Sequence, residues 1–231
     1  MKTNMEIGGL KMARQPRLHP FSIFHSQSSP RVPVRWRKEL ASVLIPETQL
    51  ARRVNALAQE IERDFRGREL VIVSLLNGTV IFLADLIRQL NLPLRLDFIG
   101  VSSYGQGTES GNLVFTKELR LDVSGRDVLL VDDILDTGKT LSRVLLKLQS
   151  LKPRRLKTCV LLDKPARRVE NVKADYVGFT IPDQFVVGYG MDFAERYRNL
   201  PFVGVLHPSI YLFSNPAKTV IPKQKRKRKI K

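Results

Sequence analysis

A chain of 231 residues with 43% hydrophobic composition is long enough to bury one sizeable core and carry a small appendage. No apolar run reaches the roughly eighteen residues a membrane helix needs. The basic N-terminus, broken by Pro16, Pro20, Pro30 and Pro33, lacks the continuous apolar stretch of a secretory signal.

The net charge of +17 belongs to the ends, with +6 in residues 1–40, +8 in 214–231 and only +3 in 41–213. The chain therefore divides into a basic leader over 1–40, a domain over 41–213 and a basic tail over 214–231. Both ends are rich in Pro, Ser, Lys and Arg without amphipathic period, and read as largely disordered. The Lys223–Lys231 cluster suits contact with nucleic acid or another polyanion through counterion release, or a merely solubilising role. The single cysteine, Cys159, lies in the apolar run Thr158–Leu162 and reads as a buried, inert thiol, which fits a reducing cytoplasm.

Order is expected to begin near Ser42–Pro46. From Thr48, the residues Leu50, Val54, Leu57, Ile61 and Phe65 recur at helical steps, and Gly67 ends the helix. Val71–Leu76 is rich in β-branched residues and predicts a strand; Asn77-Gly78-Thr79 turns into a helix over Val80–Leu90. Leu94–Val101 predicts another strand. Ser102–Asn112, with its glycines between strand-like flanks, predicts a mobile hairpin loop. Val128–Val131 suits a strand buried on both faces, with Asp132 and Asp133 following it at the carboxyl end, where open α/β sheets place ligands. Asp136-Thr137-Gly138-Lys139-Thr140 then leads into a helical period through Leu151. Further strands are expected at Leu156–Leu162 and Tyr176–Ile181. Strands alternating with helices predict an α/β fold with a parallel, doubly wound central sheet flanked by helices.

The turn at 136–140 opens a helix, so its backbone N–H groups form an anion site. Three carboxylates stand beside this phosphate cradle. Because they repel phosphate, they imply a bridging cation, a sugar diol, or a base waiting for a proton. Gly138-Lys139-Thr140 does not complete a Walker phosphate loop, since that motif needs glycine where Asp133 stands.

The order of apolar strand, two acids, two apolar residues and Asp-Thr-Gly-Lys-Thr closely resembles the phosphoribosyl-diphosphate (PRPP) motif of the type I phosphoribosyltransferases. The resemblance implies that fold, with a small hood over the carboxyl ends of the strands. It places Thr137, Gly138, Lys139 and Thr140 on the 5′-phosphate and Asp132 and Asp133 under the ribose, and makes Asp136 the acid or base acting on N7 of a purine. In the purine enzymes the backbone of a Leu-Lys-Gly loop binds pyrophosphate through a non-proline cis peptide. The matching loop here is Leu76-Asn77-Gly78, with Asn77 in place of the lysine, so a backbone role for Asn77 and Gly78 is what carries over. Ser103 and Tyr104 resemble the lid of the hypoxanthine-type enzymes, and Lys164 the donor to a purine 6-oxo group. Ile181–Asp192 resembles the base-binding stretch of the hypoxanthine–guanine enzymes. There Phe185 would stack on the base, Val186 would meet its edge through the backbone, Asp192 would join Asp132 and Asp133 in holding Mg²⁺, and Arg198 would meet pyrophosphate.

The resemblance covers roughly residues 41–213. It implies a cytoplasmic, Mg²⁺-dependent purine salvage enzyme joining hypoxanthine, and also guanine, to PRPP, assembled as a homodimer or homotetramer and without membrane contact. Two other readings use the same residues: a PRPP- or nucleotide-sensing RNA-binding regulator on this fold, and a nucleic-acid-binding scaffold driven by its tails. The histidines His19, His25 and His207 lack ligand spacing and suggest no chemistry.

Overall fold

The computed structural model describes residues 21–22, 31–103 and 113–212. Residues 104–112 of the expected lid loop, Tyr104 among them, most of the leader with His19 and His25, and the C-terminal tail lie outside the described residues, whereas Ser102 and Ser103 end β4.

The elements, in chain order, begin with β1 (Phe21–Ser22), β2 (Leu40–Ile45), α1 (Glu47–Asp64), β3 (Leu70–Leu76), α2 (Val80–Gln89) and β4 (Leu94–Ser103). There follow β5 (Leu113–Lys117), β6 (Asp127–Leu135), α3 (Lys139–Ser150), β7 (Arg155–Asp163), β8 (Tyr176–Thr180), β9 (Val186–Val187), β10 (Val203–Leu206) and α4 (Pro208–Leu212). The main sheet runs β1-β8-β7-β6-β3-β4-β5 and is parallel except at β5, which pairs antiparallel with β4. A second, antiparallel sheet, β2-β10-β9, forms the hood.

Alternation along β3 and β6 explains the two layers. Leu70 and Ile72 of β3 pack with Leu129 and Val131 of β6 against Leu50, Leu57, Phe82 and Leu86 of α1 and α2. Val71, Val73, Val128 and Leu130 face the other way, onto Leu141, Val144 and Leu148 of α3. Both faces of the central strands are thus covered, which accounts for their unbroken apolar runs. Cys159 is buried in the first of these layers, and burial pushes its thiol far above its ordinary value.

One boundary differs from expectation. β6 does not end before the acidic pair; it continues through Asp132 and Asp133 to Leu135, where it still pairs with Asp163 of β7. Carboxylates are poor strand formers, and pairing with a long neighbour overrides that tendency here. The hood also reaches back before Ser42: β2 starts at Leu40, Trp36 packs edge-on against Tyr197 at 5.9 Å, and both belong to the hood's own apolar cluster.

Candidate active site

The carboxyl ends of β3, β6 and β7 open onto two adjoining cavities. The larger, about 350 Å³, is walled by Gly78 and Thr79 of the β3–α2 turn, by Asp132, Asp133 and Asp136, and by Thr137, Gly138 and Thr140 of the turn into α3. The smaller, about 220 Å³, is lined by Lys164, Phe185, Val186 and Asp192, together with Arg167 and Met191. Asp133, Ile134 and Asp136 belong to both walls. Most residues singled out from sequence therefore gather in one place, divided between two compartments that meet at Asp136.

The turn into α3 is built for an anion. Gly138 has φ +87°, a left-handed conformation that side chains rarely adopt, and a β-carbon there would meet Val172 Cγ1 at 2.7 Å. The Lys139 N–H donates to Thr137 Oγ1 at 3.4 Å and the Ser142 N–H to the Gly138 carbonyl at 2.9 Å. The remaining N–H groups of the first helical turn have no intrahelical acceptor and supply the positive end of α3.

Opposite this turn lies the β3–α2 loop, in which the Leu76–Asn77 peptide bond is cis. Gly78 approaches the acidic pair closely, and Gly190 packs in turn on the Gly78 carbonyl. Asp132 is 7% exposed; burial, and next the neighbouring charge of Asp133, raise its carboxyl well above the usual range. The Asp133 N–H donates to Asp132 Oδ1 at 2.9 Å, and the Thr79 hydroxyl partly offsets the rise. Burial raises Asp133 as well. Two adjacent carboxylates, one buried and one half-buried, with this preference for a proton call for a cation or a diol when ionised.

Asp136 Oδ1 is buried without a hydrogen-bond partner, although Arg167 Nε stands 3.3 Å away, outside hydrogen-bonding geometry. Lys164, only 4% exposed, donates from Nζ to the Gln184 carbonyl at 3.0 Å and pairs with Asp183 Oδ1 at 3.1 Å. Phe185 is 37% exposed; its ring stacks on Tyr211 of α4 at 4.9 Å and meets Phe193 edge-on at 5.5 Å. Val186 is held by pairing with Val205. Asp192 is engaged by Arg198 Nη2 at 3.0 Å and by the Glu195 N–H at 2.9 Å, and Arg198 also donates to the Gly190 carbonyl at 2.9 Å.

Not every expected residue joins these walls. The side chains of Asn77 and Lys139 are exposed beside the larger cavity, outside both linings, and Arg198 lines a separate neighbouring cavity with Tyr189 and Asp85. The backbone of Ser103 ends β4 by pairing with Leu113. Among the described residues no three His, Cys, Asp or Glu side chains form a metal cage. Sequence reading missed Thr79, Arg167, Arg168, Asp183 and Tyr211. A basic pair after Lys164-Pro165 looks like solvated charge, and no spacing links Tyr211 to Phe185.

A sheet of this order, with an acidic pair, a phosphate-type turn and a hood, defines a phosphoribosyltransferase. Consistently, the family of the phosphoribosyl transferase domain matches residues 45–194, and the chain belongs to it. It is 43% identical over 176 residues to the hypoxanthine-guanine phosphoribosyltransferase of Bacillus subtilis, covering 76% of this chain and 98% of that protein. It is 45% identical over 174 residues, 75% of this chain, to the bifunctional protein TilS/HprT of Listeria monocytogenes, but spans only 27% of that protein's length. The solved hypoxanthine phosphoribosyltransferase of Staphylococcus aureus superposes with a TM-score of 0.74 at 43% identity, covering 77% of this chain and 97% of that one.

Proposed function

We propose that the chain is a purine salvage enzyme that joins hypoxanthine, and also guanine, to PRPP, giving the nucleoside monophosphate and pyrophosphate. The observation that carries this reading is the position of Asp136, whose buried Oδ1, without a hydrogen bond and 3.3 Å from Arg167 Nε, stands in the wall common to an anion-binding cavity and an aromatic-lined one. Two compartments meeting at one carboxylate oxygen that no hydrogen bond occupies suit a reaction between two substrates with a proton to move. The relatives reported above carry enzyme names, and nothing in the site favours a regulator or a scaffold.

In this reading the turn Thr137, Gly138, Lys139 and Thr140 takes the 5′-phosphate, and Asp132 and Asp133 face the ribose hydroxyls. The backbone of Asn77 and Gly78, with Arg198, takes the pyrophosphate, and Ser103 and Tyr104 belong to the lid. The base lies on Phe185, with Lys164 Nζ donating to its 6-oxo group and the Val186 backbone at its edge. As N9 attacks C1′ and the bond from C1′ to the pyrophosphate oxygen breaks, Asp136 accepts the proton from N7 and pyrophosphate departs with the bonding electrons. Positioning and fixed charge supply much of the rate.

Asp132 and Asp133 fit Mg²⁺, because a carboxylate pair with raised proton affinity gains from a hard cation. Asp132 and Asp133 would hold the ion, with Asp192 contributing directly or through water. When bound it supplies positive charge against that of the leaving pyrophosphate.

The test is purified protein with PRPP, Mg²⁺ and hypoxanthine, guanine, xanthine or adenine in turn, followed by ultraviolet absorbance. Turnover of the 6-oxopurines is expected. No turnover with any base, together with tight salt-sensitive RNA binding, would replace this reading with the regulator. The same preparation is expected to sediment as a homodimer or homotetramer, and cell fractionation to recover the protein from the cytoplasm.

A further inference from the structure

The carbonyls of Leu135, Asp136 and Thr137, which lead into the phosphate turn, are all held by one segment. Lys164 to Val172 runs behind the turn, and Arg168 is its centre. Arg168 Nε donates to the Asp136 carbonyl at 3.0 Å, Nη2 to the Leu135 carbonyl at 3.0 Å and Nη1 to the Val172 carbonyl at 2.8 Å. Nη2 also pairs with the Asp163 carboxylate at the end of β7. The backbone of the same segment completes the set: the N–H groups of Val169 and Glu170 donate to the Thr137 carbonyl at 2.9 and 3.1 Å, and that of Lys164 to the Leu135 carbonyl at 3.0 Å.

A peptide unit whose carbonyl is pinned from behind cannot rotate its N–H away from the opposite side. Arg168 does not reach the phosphate cavity itself. With Asp163 and Val172 it lines a separate cavity of about 300 Å³ behind the turn, and its charge is matched by Asp163. We propose that Arg168 is a positioning residue, whose planar fork of donors fixes the backbone of residues 135–137 at the entry to the turn so that its N–H groups face the 5′-phosphate. This rests on the reading of that turn as the phosphate site.

Only a guanidinium suits the task. Its donors lie in one plane at fixed angles, which lets one side chain reach carbonyls on Leu135, Asp136 and Val172 and a carboxylate at once. An ammonium at this position keeps the charge and loses the fork. A direct electrostatic role would therefore survive Arg168→Lys, whereas a positioning role would not.

The experiment is calorimetric titration of the full chain with ribose 5-phosphate, alongside steady-state kinetics in both substrates. Arg168→Gln and Arg168→Lys are both expected to weaken ribose 5-phosphate about tenfold or more and to raise the KM for PRPP in step, since misplacement of site groups carries penalties of this size. The KM for hypoxanthine is expected to stay within about threefold, because the base contacts of Phe185 and Val186 lie elsewhere. Wild-type affinity in either variant, or a parallel rise in both KM values, overturns the proposal. Should Arg168→Gln fail to fold, Asp163→Asn decides: it leaves every donor and removes the carboxylate orienting them, so unchanged ribose 5-phosphate affinity overturns the proposal and a loss supports it. A wild-type protein that binds neither ribose 5-phosphate nor PRPP instead defeats the reading of the site on which the proposal rests.

Discussion

The backbone of Gly78 lies against the carboxylate of Asp133 so closely that a β-carbon on the glycine would fall 1.8 Å from Asp133 Oδ2. The β3–α2 turn and the acidic end of β6 are therefore one unit, and neither can shift alone. Gly78→Ala forces the carboxylate or the turn to move. The expected result is a loss of about 1–3 kcal/mol of stability from overpacking, and a fall of about a hundredfold in kcat/KM for PRPP from the displaced groups. Urea unfolding and initial-rate kinetics measure the two effects separately.

Asp136 offers the most direct test of the chemistry. Asp136→Asn keeps the shape of the side chain and removes its capacity to accept a proton. Turnover is expected to fall by about 10²- to 10⁴-fold, the usual worth of a positioned acid or base. PRPP affinity, measured by equilibrium binding, is expected to stay close to that of the wild type. Wild-type turnover in this variant would remove Asp136 from the mechanism.

Tyr211 carries a prediction that only the structure suggests. It stacks on Phe185 at 4.9 Å without lining the base cavity, so it backs the ring on which the purine is proposed to lie. Phe185→Ala is expected to raise the KM for hypoxanthine more than Tyr211→Ala does, each aromatic pair being worth about 0.5–1.5 kcal/mol beyond its buried area. Neither change should move the KM for PRPP, and a two-substrate kinetic matrix reads this directly.

Asp97 governs an acid limit on stability. Burial alone would raise its carboxyl, but hydrogen bonds from the N–H groups of Leu121, Phe98 and Arg120, and from Lys117, outweigh burial and bring it from 3.8 to about 2. A lowered folded-state value means that the contribution is fully present above the unfolded value of 3.8 and is lost as pH falls through about 2. Wild type should therefore lose stability between these limits more steeply than Asp97→Asn, with the variant the less stable of the two near neutrality. Urea midpoints across this window test the sign.

The stretch 128–140 was legible because its information is local. An apolar run, an acidic pair and a glycine that must adopt positive φ follow one another, and the chain's own geometry turns them into strand, ligand edge and helix start. The alternation of strands and helices likewise predicted the parallel sheet, although the extent of β6 past Asp132 and Asp133 depends on β7, a partner that no local pattern reveals. What sequence did not show are residues whose meaning is distance in space. Arg168 grips carbonyls more than thirty positions earlier, and Arg167 stands beside Asp136 across the same gap. Tyr211 finds Phe185 only because β10 brings the chain back through the hood. Charged and aromatic residues of this kind look ordinary until the fold places them.

The hood has a consequence for how the protein is made. Its middle strand, β10, is nearly the last described element to leave the ribosome, yet it alone joins β9 to β2, which is among the first. The strands that carry the turn at 136–140 pair with nothing beyond β8, whereas β9, which carries Val186, has its partner only once β10 has joined β2. A chain interrupted during synthesis between β9 and β10 would thus leave both β2 and β9 without the strand that joins them.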